Sequence, residues 1–245
     1  MQPITNVIIR SSNNSIGEFK FGYESNECPN DFSDNLIGGV DEAGRGSLIG
    51  PIVIAGICIR ASQQEELRQI GVKDSKLLTP GRRRSMIFEL VEHTKWLCIC
   101  KLTPAEVDHA VLYNSLNLLE AQAMAAVIEN IMPHAVFVDS CDINPIRYRK
   151  SISEFLNFNK PEKIFSLHHA ERVNVTVAGA SILAKVIRDN EISRINEKYG
   201  EVGSGYPSDK KTIKFLKTWM SKNDVAPSFV RKSWKTMKRC LIKDF

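Results

Sequence analysis

Two short apolar runs, each ending abruptly on acid, constrain this chain more than any other feature. Leu36-Ile37-Gly38-Gly39-Val40 runs into Asp41-Glu42, and Ala135-Val136-Phe137-Val138 runs into Asp139. Both read as short strands inside a longer alternation of strand and helix patterns. In α/β sheets the carboxyl ends of central strands are where ligands bind. Acids at adjacent strand ends would face one another, and carboxylates that close must share a proton or bind a cation. An all-oxygen donor set suits Mg²⁺ or Mn²⁺ rather than zinc. The plainer alternative for Asp139 alone is a cap on the helix that follows.

The remaining pattern fills in a mixed sheet flanked by helices. Pro51 to Arg60 is an Ile- and Val-rich strand, and Lys95 to Leu102 alternates with a period of two, placing Cys98 and Cys100 on one face. Lys163 to Leu167 is a further strand. Helical patterns cover Arg82 to His93, Asn117 to Met132, Asn144 to Leu156 and Val177 to Tyr199, the last closed by Gly200. Two basic helices, around Lys210–Met220 and Ser228–Arg239, complete the chain. Residues 1–35, rich in Asn, Ser and Gly, read as a flexible extension. Residues 36–207 read as the ordered body, and 208–245 as a basic helical C-terminal region.

Composition removes several classes. With 245 residues, 43% hydrophobic and 25% charged, the chain is neither wholly disordered nor membrane-spanning. Its six cysteines are scattered, with neither zinc-ligand pairing nor a dense disulfide framework, so a cytoplasmic setting with reduced thiols is expected. The net charge of +5 is unevenly placed: from Asp209 onward eleven Lys and Arg face three Asp. A near-neutral body with a basic tail fits a polyanionic partner, although solvated helix faces produce the same pattern.

Gly44-Arg45-Gly46 follows the first acid pair directly. Glycines beside an arginine let backbone approach a sugar-phosphate closely while the guanidinium binds phosphate or hydroxyl, and that adjacency to Asp41-Glu42 is the informative part. Ser181, Lys185 and Asp189 share a helix face, with Asp189 expected to pair with Lys185. His168-His169 lacks the partners a zinc site needs.

The segment Gly39-Val40-Asp41-Glu42-Ala43-Gly44-Arg45-Gly46, followed by Gly50-Pro51, resembles the opening signature of the ribonuclease HII family. Other segments fall in family order: Asp74-Ser75-Lys76, Val138-Asp139-Ser140, the helix Ala180 to Asp189, and Gly203-Ser204-Gly205-Tyr206-Pro207-Ser208-Asp209. The last of these resembles archaeal and eukaryotic members, and Val230 to Lys235 adds to an archaeal-like character. The resemblance spans about Ile37 to Lys238.

The resemblance implies a ribonuclease H-like α/β fold: a mixed five-stranded sheet flanked by helices, with a helical C-terminal extension. It implies cleavage of RNA in RNA/DNA hybrids and of ribonucleotides embedded in duplex DNA, as in ribonucleotide excision repair. Two divalent ions, Mg²⁺ or Mn²⁺, would be held by Asp41, Glu42, Asp139 and Glu171. Glu171 stands where the family usually has Asp, His169 where it has Lys, and Ser47 where many members have Pro. The 2′-hydroxyl would be read by backbone groups of Gly44, Arg45 and Gly46 and by the hydroxyl of Tyr206, with Lys76, Lys185 and Arg45 as phosphate contacts. Ribonuclease HIII shares the core but usually carries a sizeable N-terminal domain, for which 35 residues are too few. A weakened hybrid-binding protein is the alternative from outside the enzymes. A monomer is expected. The C-terminal residues, Lys238 to Phe245, lack the Gln and one of the aromatics of the family's sliding-clamp peptide, which leaves a clamp as a partner to test.

Overall fold

The structure, a computed structural model, describes residues 7–11 (backbone only), 35–72 and 78–237. Six strands form one mixed sheet: β1 (Val7–Ser11), β2 (Leu36–Ala43), β3 (Ile52–Arg60), β4 (Trp96–Leu102), β5 (Ala135–Asp139) and β6 (Lys163–Leu167), in the order β1-β4-β3-β2-β5-β6. β2, β3 and β4 pair antiparallel, and β5 and β6 join in parallel. The five strands from β2 to β6 are those the sequence pattern indicates. The sixth, β1, lies within the stretch read as an extension and pairs antiparallel with the β4 edge. The rest of that stretch, residues 1–6 and 12–34, lies outside the described residues.

Both faces of the sheet are covered, which is why β3 is apolar without alternation: Ile52 to Ile59 are all buried. Cys58, Cys98 and Cys100 face helices α4 (Leu116–Ile131) and α5 (Pro145–Phe155), packing with Met124, Val127, Ile128 and Tyr148. The opposite face packs Ile57, Ile59 and Ile99 against α2 (Pro80–Glu92) and α6 (Val175–Tyr199) through Met86, Leu90, Ile182 and Leu183. α6 lies so close to β2 that a Cβ on Gly39 would sit 2.2 Å from the Thr176 carbonyl carbon. Only glycine admits that approach, and it brings the start of α6 over the acid-bearing end of β2.

Helix starts follow capping chemistry. Thr79, Thr103 and Asn144 each cap a helix whose first residue is proline, and Asn174 and Asp209 cap α6 and α7 (Lys210–Lys222). The helix at Pro104–Leu112 (α3) and the short one at Gln64–Gln69 (α1) were not indicated by the sequence pattern.

The expected helix at Ser228–Arg239 is corrected. Val230 forms a β-bridge to Ile49, Arg231 N donates to the Leu48 carbonyl at 2.9 Å, and helical turns begin only at Lys235. Extended pairing to the segment after β2 outcompetes local helix formation there. Leu48 and Ile49 accordingly share a third core with Ile192, Leu216, Val230 and Met237.

Candidate active site

The two acid-ended strands are neighbours. β2 and β5 run parallel, and their paired positions end at Val40 opposite Val138, so Asp41 and Asp139 emerge side by side. Carboxylate oxygens of Asp41, Glu42 and Asp139 lie within 4.8 Å of one another. Asp139 is no helix cap. Its Oδ1 accepts the Ala170 amide at 2.9 Å, tying the end of β5 to a 3-10 turn at Ala170–Arg172.

That turn carries Glu171, which is buried, with His169 Nδ1 3.8 Å and Arg172 Nε 4.0 Å from its Oε1. Glu171 stands outside the close triad, yet its charge helps raise the Asp41 pKa. His168 turns elsewhere, its Nε2 lying 3.2 Å from the Ile143 carbonyl.

Burial and the neighbouring Asp139 push the Asp41 carboxyl up to about 7, against a hydrogen bond from Ser181 and the Glu42 amide that favour its charged form. Glu42 is likewise held well above the usual carboxylate range by burial, then by Asp41, Glu120 and Asp139. Glu42 Oε2 and Glu171 Oε2 are buried with no hydrogen-bond partner among the described residues. Orphaned carboxylate oxygens in a crowded anionic pocket are the donor set of a hard divalent ion, so the residues present fit such a group.

The turn after β2 needs its glycines for different reasons. Gly44 has φ of +89°, and a Cβ there would lie 2.8 Å from Arg188 Nε. Gly46 is exposed with open space above it, leaving its backbone approachable from outside. Ser47 closes the turn, its hydroxyl and amide both donating to the Gly44 carbonyl. Arg45 turns its guanidinium inward: Nε donates to Glu120 Oε1 at 3.1 Å, Nη1 to the Cys141 carbonyl at 3.0 Å and Nη2 to Asn117 Oδ1 at 2.6 Å.

The Gly-Ser-Gly-Tyr loop is bonded to this turn. Leu48 and Ile49 amides donate to the Gly205 carbonyl at 2.7 and 3.2 Å. Arg188, almost wholly buried, sits 4.3 Å from the Tyr206 ring centroid and donates to the Ser204 carbonyl at 2.8 Å. Beneath the turn, fully buried Arg231 donates to the Arg45 carbonyl at 2.7 Å and the Gly50 carbonyl at 2.9 and 3.1 Å. Lys185 pairs with Asp189, as expected, and Asp189 also receives Arg83 at 3.4 Å. Lys76 and its Asp-Ser-Lys segment lie outside the described residues.

Sequence reasoning passed over Glu120, Arg188 and Arg231. Each is a charged residue on a buried face; Arg188 lies inside the motif helix and Arg231 inside the Val230–Lys235 segment, whereas nothing marked Glu120.

Fold and site together define a metal-dependent type of nuclease built on a ribonuclease H-like sheet. The model of the ribonuclease HII family matches residues 38–237, and the chain belongs to that family. It is thus a type 2 ribonuclease H, an endonuclease. The ribonuclease HII of Cenarchaeum symbiosum is 44% identical over 200 residues, covering 82% of this chain and 95% of that one. That of Methanoregula boonei is 40% identical over 208 residues, covering 85% and 95%. Among solved structures, ribonuclease H2 from Pyrococcus horikoshii superposes with a TM-score of 0.78 at 38% identity, covering 84% of this chain and 97% of that one. The ribonuclease HII in the PCNA complex from Archaeoglobus fulgidus gives 0.76 at 36% identity, with the same coverage.

Proposed function

We propose that the chain cuts the RNA strand of RNA/DNA hybrids and cuts on the 5′ side of ribonucleotides embedded in duplex DNA, leaving 5′-phosphate and 3′-hydroxyl ends. The observation that carries this reading is the bonding of a backbone-exposing turn and a tyrosine loop to each other, directly beside the acid cluster. Two divalent ions, Mg²⁺ or Mn²⁺, would supply a nucleophilic water and stabilise the leaving 3′-oxygen. Asp41, Glu42 and Asp139 would hold them, with Glu171 completing the set from the adjoining turn.

Discrimination between RNA and DNA rests on the 2′-hydroxyl. The backbone of Gly44, Arg45 and Gly46 and the Tyr206 hydroxyl are the groups assigned to it. Because the Arg45 guanidinium is engaged inward, the contribution of Arg45 is its backbone, not its charge. Lys185 and Lys76 are assigned to phosphates. The chain would act in the cytoplasm as a monomer, with 36–207 as catalytic body and 208–245 as an accessory region. Among the described residues no helix is long and apolar enough to cross a membrane. The Archaeoglobus relative's complex makes a sliding clamp the partner to test, by deleting Leu241–Phe245 and measuring clamp affinity.

The deciding experiment is cleavage of a labelled DNA duplex containing one ribonucleotide, with Mg²⁺ and with Mn²⁺. A cut 5′ of the ribonucleotide that disappears in Asp139→Asn is the expected result. An unchanged rate in Glu171→Asp would make the longer acid an accepted fourth ligand. No cut by the native chain, with cutting restored by Glu171→Asp, would overturn the reading in favour of a hybrid-binding protein.

A further inference from the structure

The pairing of β2 with β5 stops at Val40 and Val138, one residue short of the carboxylates on each strand. Beyond that point the two strands no longer pair with each other, and three crowded carboxylates would tend to splay the gap between Asp41-Glu42 and Asp139. Arg45 spans the two sides. It lies three residues beyond Glu42, and its Nη1 donates to the carbonyl of Cys141, two residues beyond Asp139.

What fixes Arg45 is α4. Glu120 sits on the helix face that also buries Ala121, Ala123, Met124 and Val127, and it is fully buried itself. Its carboxylate takes Arg45 Nε at 3.1 Å through Oε1, with Oε2 2.9 Å away. A carboxylate buried in an apolar helix interface is costly unless it is paired, and the partner of Glu120 is Arg45. Asn117, one turn earlier, grips both sides at once. Its Oδ1 accepts Arg45 Nη2 at 2.6 Å, while its Nδ2 donates to Asp142 Oδ2 at 3.0 Å.

We propose that Glu120 is a positioning residue: through Arg45 it forms a strut between the ends of β2 and β5 that sets the carboxylate spacing required for divalent-ion binding. This rests on the metal reading of the acid cluster.

A strut and a simple charge effect make different predictions. If Glu120 and Arg45 acted only through charge, removing the cation Arg45 would tighten cation binding and removing the anion Glu120 would weaken it. A strut requires both removals to weaken it. The test is Mn²⁺ binding to the full-length, substrate-free chain by electron paramagnetic resonance, on native protein, Asp139→Asn, Glu120→Gln and Arg45→Met. Thermal melts by circular dichroism establish that each variant is folded.

Weaker Mn²⁺ binding in both Glu120→Gln and Arg45→Met, on the order of tenfold, is expected. Tighter binding in Arg45→Met, or unchanged binding in Glu120→Gln, would overturn the strut. Should Glu120→Gln fail to fold, Asn117→Ala at the half-buried start of α4 takes its place, with weakening again expected and unchanged binding overturning the idea. Failure of the metal reading has its own signature: native protein that binds no Mn²⁺, or Asp139→Asn that binds as well as native, removes that reading and the strut with it.

Discussion

Two regions of the site treat charge in opposite ways. At the ends of β2 and β5, Asp41, Glu42 and Asp139 crowd together, and buried oxygens on Glu42 and Glu171 lack hydrogen-bond partners among the described residues. A few residues away, Arg45, Arg188 and Arg231 turn their guanidinium groups onto backbone carbonyls of the turns that surround the acids. The first region is left wanting a ligand. The second has spent its charges on holding loops still. Buried charge therefore has two meanings in this fold: the acids face one another, whereas the guanidinium groups face backbone carbonyls, although Arg188 Nε is itself left without a hydrogen-bond partner among the described residues.

The largest expected effect attacks the unsatisfied region. Asp41→Asn and Asp139→Asn should each lower single-turnover cleavage by about 10³-fold or more, the loss of several kcal/mol of transition-state stabilisation. Neither should lower the melting temperature in EDTA, because each removes a repulsive charge. A parallel fall in stability would erase the contrast drawn above.

Next comes Tyr206→Phe. On the proposed reading it removes one hydrogen bond to the 2′-hydroxyl, worth about 1–3 kcal/mol, or roughly 5- to 150-fold in cleavage at a single embedded ribonucleotide. Mn²⁺ affinity should stay at the native value, since Tyr206 belongs to the satisfied region.

Gly44→Ala probes that region's backbone. With φ at +89° and Arg188 Nε 2.8 Å from the added carbon, about 1–3 kcal/mol of stability should be lost, read from the urea midpoint.

A last effect is a pH dependence in EDTA. The Asp41 carboxyl titrates near 3.8 when unfolded and at about 7 when folded, so the unfolded chain releases its proton first. Stability contributed through this group therefore falls as pH rises from about 4 to about 7. Adding Mn²⁺ should reverse the fall, raising the melting temperature more at pH 7.5 than at pH 5. An equal rise at both values would mean that Asp41 is not the group relieved.

Much of this was legible in the sequence because it follows from local pattern. The five strands from Leu36 to Leu167 show as short apolar runs, and the acids sit where those runs end. The helices with Thr-Pro or Asn-Pro starts carry their own signals, yet α3 passed unread because its nine residues are too few for a clear period. The region around Val230 read as helix because its composition is helical, whereas bridging to Ile49 decides its backbone. Arg45 read as a phosphate contact because nothing in the local sequence connects it to Glu120, 75 positions on. β1 escaped notice because strand Val7–Ser11 is ordered by the β4 edge rather than by its own neighbours.

The seat of Arg231 also has a consequence for biosynthesis. Residues 44–50 leave the ribosome early, but the side chain that bonds the Arg45 and Gly50 carbonyls is made about 180 residues later. A growing chain can assemble its sheet and gather its acids well before the turn beside them is fastened. The turn beside the acids is therefore fastened only once residue 231 has been made, 64 positions after Leu167 ends the last strand of the sheet.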